Sequence, residues 1–298
     1  MSRRVSVVEV GPRDGLQNEK QPLSTEFKLQ LIHRLDECGL GEIEVTSMVH
    51  PKWVPQLADA ADLLSKLKER PHRAVQTVLV PNLKGLERAL ESGAQRVAVF
   101  IAASESFSQK NTNRSIEVSL EQTSDVVSRA RQAGVSVRGY LSTVFVCPFE
   151  GPVSPEISAD LTRKLLDMGC DQVSLGDTIG AAVPEDIDAV LSALEGVATE
   201  KLALHLHDTY GTALANVTRG LDRGIRVFDS SVGGAGGCPY APGATGNLAT
   251  EDLLYLLERG GWEHGVDAKR VLETARFLEG GLGRPCASHL MAVDRSQA

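Results

Sequence analysis

The stretch 119-SLEQTSDVVSRARQAGVSVRGYLSTVF-145 holds one helical and one extended pattern in direct succession. An amphipathic helical pattern over 119–133 ends at Gly134, and a β-branched run over 135–145 follows at once. Glycine is typical just after a helix because it adopts the left-handed backbone conformation without a steric penalty. The stretch therefore predicts a helix that leads directly into a strand.

The same succession recurs along the chain. A glycine also precedes the next β-branched run at Gly39, Gly93, Gly169 and Gly224. The predicted strands are 5–10, 42–46, 74–80, 96–101, 135–145, 172–176, 201–207 and 226–232. Strands that alternate with helices indicate an α/β protein with a parallel sheet, and eight such units predict a (β/α)8 TIM barrel.

A doubly wound sheet is the competing architecture. It would usually have fewer strands and a glycine-rich turn after the first one. The first predicted strand instead runs into 11-GPRDGLQ-17, which lacks the GxGxxG spacing. The barrel is therefore preferred, and helical patterns beyond it predict a small C-terminal extension packed on it. The expected divisions are a barrel over 1–248 with a catalytic lid loop at 233–246, and an extension over 249–298 with helices at 249–259 and 267–282.

Composition excludes several classes of protein. The 298 residues include 31 Lys+Arg and 39 Asp+Glu, so the net charge is -8 and no broad basic surface is available for nucleic acid. No run approaches the ~20 apolar residues that span a bilayer. The start, MSRRVSVVEVGPRDG, becomes polar too early for a signal peptide, and it lacks an Arg-rich amphipathic transit segment. These features predict a cytoplasmic protein without nucleic-acid or membrane partners.

The five cysteines are odd in number and widely spaced, and none forms a CxxC pair, which argues against a disulfide framework or a structural zinc site. Cys38, Cys147 and Cys170 lie in or beside apolar segments and are interpreted as packing residues. Cys238 instead lies in 233-GGAGGCPYAPGATG-246. This composition fits a linker loop or a mobile lid, and the cysteine favours a lid with a thiol that acts as nucleophile or acid/base.

The strongest local signal is 204-LHLHDTYG-211, where His205 and His207 are two residues apart on a predicted strand. Their side chains therefore lie on the same face of the strand. Active sites of TIM barrels lie at the C-terminal ends of the strands. A pair of imidazoles at that place favours a divalent-metal site over a packed core histidine.

Arg13 and Asp14 interrupt an apolar run where the first strand should reach the barrel mouth. A carboxylate there needs a cationic partner or a metal, although Asp-Gly is also a turn dipeptide and a helix-capping turn explains it equally well. Together with the histidine pair, Asp14 offers a hard oxygen ligand, and Asn247 could complete the set. Such a mixture suits Mg²⁺ or Mn²⁺ better than a thiolate-rich zinc site.

Five weaker candidates lie near the predicted strand ends. Each could orient a ligand or an arginine by a hydrogen bond, or equally satisfy a buried backbone group. They are Gln17, Glu44, Ser47, Ser174 and Asp177.

Four segments resemble the 3-hydroxy-3-methylglutaryl-CoA (HMG-CoA) lyases. They are 9-EVGPRDGLQNE-19, 174-SLGDTIG-180, 205-HLHDTYG-211 and 231-SVGGAGGCPYAPGATGNLATED-252. The resemblance covers nearly the whole chain, and the cysteine loop is highly specific. The related barrel aldolases and acyl-CoA condensing enzymes share the RDG-type start and the HxH pair but lack the GGCPYA loop.

The resemblance implies a retro-Claisen cleavage of (S)-HMG-CoA to acetyl-CoA and acetoacetate, as in leucine catabolism and ketone body formation, assisted by Mg²⁺ or Mn²⁺. It implies Arg13 as the substrate-activating arginine and Cys238 as the catalytic cysteine. A homodimer is also expected. The metal ligands implied by the resemblance are Asp14, His205, His207 and Asn247.

The resemblance also matches several residues to substrate-binding or orienting groups. His205 and Asp177 are both candidates for moving the first proton, and the sequence does not decide between them. The matched positions are Gln17, Glu44, Ser47, Ser174, Asp177 and Glu251.

Gly233 and Ala235 replace the Ala and Leu of the family's usual SVAGLGGCPY. Both changes remove bulk, so they either loosen loop closure or make room for a larger substrate. The alternatives are a lyase for a longer 3-hydroxy-3-alkylglutaryl-CoA, a related condensing synthase or aldolase, and, from another class, a non-catalytic acyl-CoA-binding barrel.

Overall fold

A computed structural model describes residues 3–19, 21–237 and 246–297. Eight parallel strands pair in chain order, and the first pairs with the last to close a barrel. All eight predicted strands are confirmed, and the fold is a (β/α)8 TIM barrel. The barrel strands are β1 (Ser6–Glu9), β2 (Glu42–Ser47), β3 (Val75–Leu79), β4 (Arg96–Ala102), β5 (Ser136–Ser142), β6 (Gln172–Asp177), β7 (Leu202–Leu206) and β8 (Val227–Ser230).

Helices surround the barrel, and most of them bury an apolar face. The helix at Thr25–Glu37, for example, buries Leu31, Ile32 and Leu35, and the Ser24 hydroxyl caps its N-terminus. The described helices are α1 (Thr25–Glu37), α2 (Ala60–Leu67), α3 (Leu83–Glu91), α4 (Glu105–Thr112), α5 (Ile116–Gln132), α6 (Pro155–Asp167), α7 (Pro184–Ala193), α8 (Ala213–Asp222), α9 (Thr250–Arg259), α10 (Ala268–Leu282) and α11 (His289–Gln297). None of them is long and apolar enough to cross a membrane.

The glycines expected at helix ends adopt the left-handed conformation that this position requires. Their φ angles are 88° at Gly39, 75° at Gly93, 73° at Gly134, 109° at Gly169 and 91° at Gly224. The local sequence therefore predicted these helix ends correctly.

The strand predicted over 135–145 is too long. Strand β5 ends at Ser142 because Thr143 has a φ of 54°, and its amide donates to Thr178 Oγ1 at 2.8 Å instead of continuing the strand pairing. A short antiparallel pair, Val146–Cys147 with Gly151–Pro152, follows. A β-branched run alone does not show where such a turn interrupts it.

The C-terminal residues form three helices, and the patterns at 249–259 and 267–282 correspond to two of them. The third, α11, was not predicted. Helix α10 packs on α1, where Phe27 and Phe277 stack with ring centroids 4.5 Å apart. The division into barrel and extension stays a prediction.

Candidate functional site

A single π-helical turn at Gly11–Gly15 follows β1. The amides of Arg13, Asp14 and Gly15 all donate to the Val10 carbonyl, at 3.2, 2.7 and 3.2 Å. Turns of this kind are frequent at functional sites. This one brings both Arg13 and Asp14 to the wall of the cavity at the barrel mouth.

Asp14, His205 and His207 form a cluster whose possible ligand atoms all lie within 4.8 Å of one another. Asp14 Oδ2 is 3.9 Å from His205 Nε2 and 4.0 Å from His207 Nε2. Asn247 Nδ2 donates to the same Asp14 oxygen at 2.8 Å. The structure therefore brings together all four residues predicted as metal ligands.

This group of side chains fits a hard divalent cation. Asn247 Oδ1 and His207 Nδ1 are buried atoms without a hydrogen-bond partner in the described part of the chain. Burial, with His205 next in importance, lowers the pKa of His207 to about 4, so its imidazole is neutral as a ligand must be. Burial opposes ionisation of Asp14, but Arg13 and then His205 outweigh it and hold the Asp14 pKa well below its usual range.

Arg13 is buried between two carboxylates. It donates to Glu44, a fully buried residue of β2, and to Asp14 Oδ1 at 2.5 Å. Its guanidinium carbon also lies 5.7 Å from the centroid of the Tyr140 ring. Because a buried guanidinium is stable only when paired, Glu44 holds Arg13 in place at the cavity wall.

His205 is supported by a buried chain of hydrogen bonds that the sequence analysis missed. Its Nδ1 lies 3.3 Å from Asp229 Oδ2, which also accepts from Ser174 Oγ at 2.8 Å. Arg138 Nη2 donates to Asp229 Oδ1 at 2.7 Å, and both side chains are fully buried. The sequence did contain a signal for this pair, because Arg138 and Asp229 are opposite charges inside two predicted strands.

Other predicted residues have mainly backbone partners. Asp177 accepts from the amides of Ala181 and Ala182 at 3.0 and 3.1 Å, and burial raises its pKa to about 7. Ser47 Oγ accepts from the amide of Val49 at 3.2 Å. Glu251 accepts from the Gly233 amide, 3.1 Å from each carboxylate oxygen. Of the weaker candidates, Gln17 lines the cavity. The proposed roles of these four residues in catalysis or substrate binding stay predictions.

A cavity of about 820 Å³ opens at the cluster. Asp14 is the only carboxylate among its described lining residues, although the whole chain has a net charge of -8. Arg13, Lys110 and Arg114 line the same cavity, and Trp53 stands at its wall with 85% of its surface exposed. The cavity is therefore locally basic in an acidic protein, as a site for an anionic ligand requires.

Cys238 and the rest of 238–245 lie outside the described residues. The preceding Gly237 lines the cavity, and its carbonyl accepts from Asn18 Nδ2 at 2.8 Å. Gly233 and Ala235 are buried and are not among the described lining residues. A Cβ at Gly233 would lie 2.6 Å from Cys286 Sγ, so that sulfur occupies the space that a side chain at Gly233 would need.

Residues 4–278 match the family model described as HMGL-like. The chain is 50% identical to a mitochondrial hydroxymethylglutaryl-CoA lyase of Macaca fascicularis, over 97% of this chain and 89% of the relative. It is 48% identical to a cytoplasmic 3-hydroxy-3-methylglutaryl-CoA lyase of Mus musculus, over 92% and 80%.

This chain is also similar to solved structures of HMG-CoA lyases. The hydroxymethylglutaryl-CoA lyase of Pseudomonas aeruginosa has 49% identity and a TM-score of 0.96, with 100% of this chain and 99% of that one covered. An HMG-CoA lyase of Acinetobacter baumannii, in complex with coenzyme A and 3-methylmalate, has 35% identity and a TM-score of 0.92, with 97% and 95% covered.

Proposed function

Because this chain belongs to the HMGL-like family, we propose that it is a carbon-carbon lyase that cleaves HMG-CoA to acetyl-CoA and acetoacetate. Sequence identity near 50% to HMG-CoA lyases over nearly the whole chain supports this function. The observation that carries it is the cluster of Asp14, His205 and His207 beside the Arg13 guanidinium at the wall of one cavity.

Asp14, His205, His207 and Asn247 are the residues that would hold Mg²⁺ or Mn²⁺. When bound, such an ion acts as a Lewis acid toward the oxygen atoms of the substrate. The unpartnered Asn247 Oδ1 and the neutral imidazole of His207 support this assignment.

Arg13 would stabilise the negative charge that develops on the thioester oxygen as the carbon-carbon bond breaks. Glu44 prevents the guanidinium from turning away, because Arg13 Nε donates to this fully buried carboxylate. A donor that is already oriented needs no rearrangement during the reaction. Glu44 is thus a positioning residue for Arg13.

The proton steps require one group that takes the proton of the tertiary hydroxyl and one that protonates the acetyl-CoA enolate. His205 lines the cavity, whereas both carboxylate oxygens of Asp177 already accept backbone amides. However, His205 Nδ1 faces Asp229 and its Nε2 belongs to the proposed metal cluster, so both His205 and Asp177 stay candidates for the group that takes the first proton. The family resemblance supports Cys238 as the acid that delivers a proton to the enolate carbon.

An acyl-CoA substrate fits the charge of the cavity. Lys110 and Arg114 could bind the phosphates of a coenzyme A moiety, and the exposed Trp53 ring offers a surface for its adenine. Coenzyme A in the related Acinetobacter structure supports this substrate class. A homodimer and a cytoplasmic location complete the proposal, although the relatives include both mitochondrial and cytoplasmic enzymes.

The test is product release from HMG-CoA by the purified, chelator-treated protein with and without Mg²⁺ or Mn²⁺. We expect both acetyl-CoA and acetoacetate, in equal amounts and only with metal. His207→Ala should lower the metal content found by elemental analysis. No cleavage by the metal-loaded protein would overturn the proposal, and condensation of acetyl-CoA with a 2-oxoacid would then identify the related synthases instead.

A further inference from the structure

A small apolar surface faces the inside of the barrel, separate from the main hydrophobic core. It consists of Leu79 on β3, Phe100 on β4 and Tyr140 on β5, packed around the buried Ala98. Leu79 lies opposite Ala98 in the strand register, and Phe100 lies opposite Tyr140. Leu79, Phe100 and Tyr140, here called the apolar wall, all line the cavity.

The apolar wall adjoins the groups that carry the chemistry. The Tyr140 ring meets the His205 ring edge-on, with centroids 6.2 Å apart, and lies 5.7 Å from the guanidinium carbon of Arg13. Its hydroxyl accepts from Arg138 Nη1 at 3.1 Å. The orientation of the ring is therefore fixed by contacts with three charged or polar side chains.

This inference rests on the proposed function. Carbon 3 of HMG-CoA carries a hydroxyl group, a carboxylate arm, a thioester arm and a methyl group. The three polar substituents match Arg13 and the cluster of Asp14, His205 and His207. The methyl group gains free energy only on an apolar surface. We propose that the apolar wall receives the alkyl group on carbon 3, and that Phe100 limits its size.

Among the three residues of the apolar wall, Phe100 is the one that we expect to limit the size of the alkyl group. Leu79 and Tyr140 are almost completely buried, with 5% and 7% of their surfaces exposed, whereas Phe100 is partly exposed. Gly233 and Ala235 are buried and are not among the described residues that line this space. The limit on the size of the alkyl group is therefore assigned to the wall.

The decisive variant is Phe100→Ala, assayed as the metal-loaded full chain. The substrates are HMG-CoA and 3-hydroxy-3-ethylglutaryl-CoA, which yields acetyl-CoA and 3-oxopentanoate by the same bond cleavage. We expect the ratio of kcat/KM for the ethyl substrate to that for the methyl substrate to rise about tenfold or more. One methylene in an apolar pocket changes selectivity by roughly 10–200-fold.

Val54→Ala is the matched control, because Val54 also lines the cavity but belongs to the loop after β2. It should leave the ratio unchanged. If Phe100→Ala does not fold, Phe100→Leu tests the same limit with a smaller loss of packing. An unchanged ratio in a variant that still cleaves HMG-CoA would overturn this inference, whereas a wild-type protein that does not cleave HMG-CoA would overturn the proposed function.

Discussion

At the scale of single residues, the site depends on buried charges that each have a defined partner. Arg13 is paired with Glu44, and Arg138 is paired with Asp229. Removal of one member of such a pair leaves the other charged and desolvated, which costs far more than the pair itself contributes. The structure of the barrel mouth should therefore be most sensitive to substitutions in these pairs.

Arg138→Gln tests this dependence. It leaves Asp229 buried without its cation, so we expect a loss of about 3–5 kcal/mol in the free energy of unfolding. Urea denaturation measures it. Arg131→Gln breaks the exposed pair of Arg131 with Asp171 and should cost at most about 1 kcal/mol. Equal losses in both variants would contradict the importance assigned to the buried pair.

Cys238→Ser tests the thiol. We expect turnover of HMG-CoA to fall by about 10²–10⁴-fold, because a serine hydroxyl is a much weaker acid than a thiol. The metal content should stay at the wild-type value, since the four proposed metal ligands are Asp14, His205, His207 and Asn247. Near-normal turnover would show that another group protonates the enolate.

Residue types and spacing predicted much of the site. The HxH pair and the Arg-Asp pair are local patterns, and their side-chain directions follow from strand geometry. Asp229 was missed because its partner Arg138 is 91 residues away in sequence. Which buried charges meet depends on the closure of the barrel, and no local pattern contains that information.

At the scale of elements, short-range backbone requirements decide where helices end and how segments approach one another. The start of the loop after β8 is an example, because Gly233 has a φ of 70° and packs directly against Cys286. Its amide is also held by the buried carboxylate of Glu251. A side chain at this position would disturb both the backbone and the C-terminal segment.

Gly233→Ala should therefore destabilise the protein by about 2–5 kcal/mol, through left-handed strain of about 1–2 kcal/mol and overpacking of about 1–3 kcal/mol. Gly134→Ala is the control, because Gly134 has a similar φ of 73° but no atom within 4 Å of an added Cβ. It should cost only the strain. Cys286→Ala should recover part of the loss in Gly233→Ala, and full additivity in thermal or urea denaturation would contradict the contact.

At the scale of the whole molecule, the barrel closes where β1 meets β8. The fully buried Glu9 carboxylate joins this seam to the segments that follow β8. It accepts from the amides of Gly11 and Val232 at 2.8 and 2.9 Å, and from Thr250 Oγ1 at 2.7 Å. Burial raises the pKa of Glu9 from 4.5 to about 7, even though these hydrogen bonds favour the ionised form.

A raised carboxyl pKa means that the folded protein prefers the protonated form. This contribution to stability is fully present below about pH 4.5 and is lost as the pH rises through about 7. We compare the two proteins without metal as the pH rises from 5 to 8. The free energy of unfolding of Glu9→Gln should fall by roughly 2–3 kcal/mol less than that of the wild type. Parallel pH profiles of the two proteins in urea denaturation would contradict this assignment.

The sequence by itself determined the α/β class, the number of barrel strands, most helix ends and the family, because periodicity, glycine positions and short motifs are properties of neighbouring residues. It also provided the four predicted metal ligands. Only the tertiary structure decided that Glu44 holds Arg13, that Arg138 and Asp229 support His205, and that Leu79, Phe100 and Tyr140 form one apolar wall. These groupings join residues from different strands, and burial makes their pairing obligatory only after the barrel has closed.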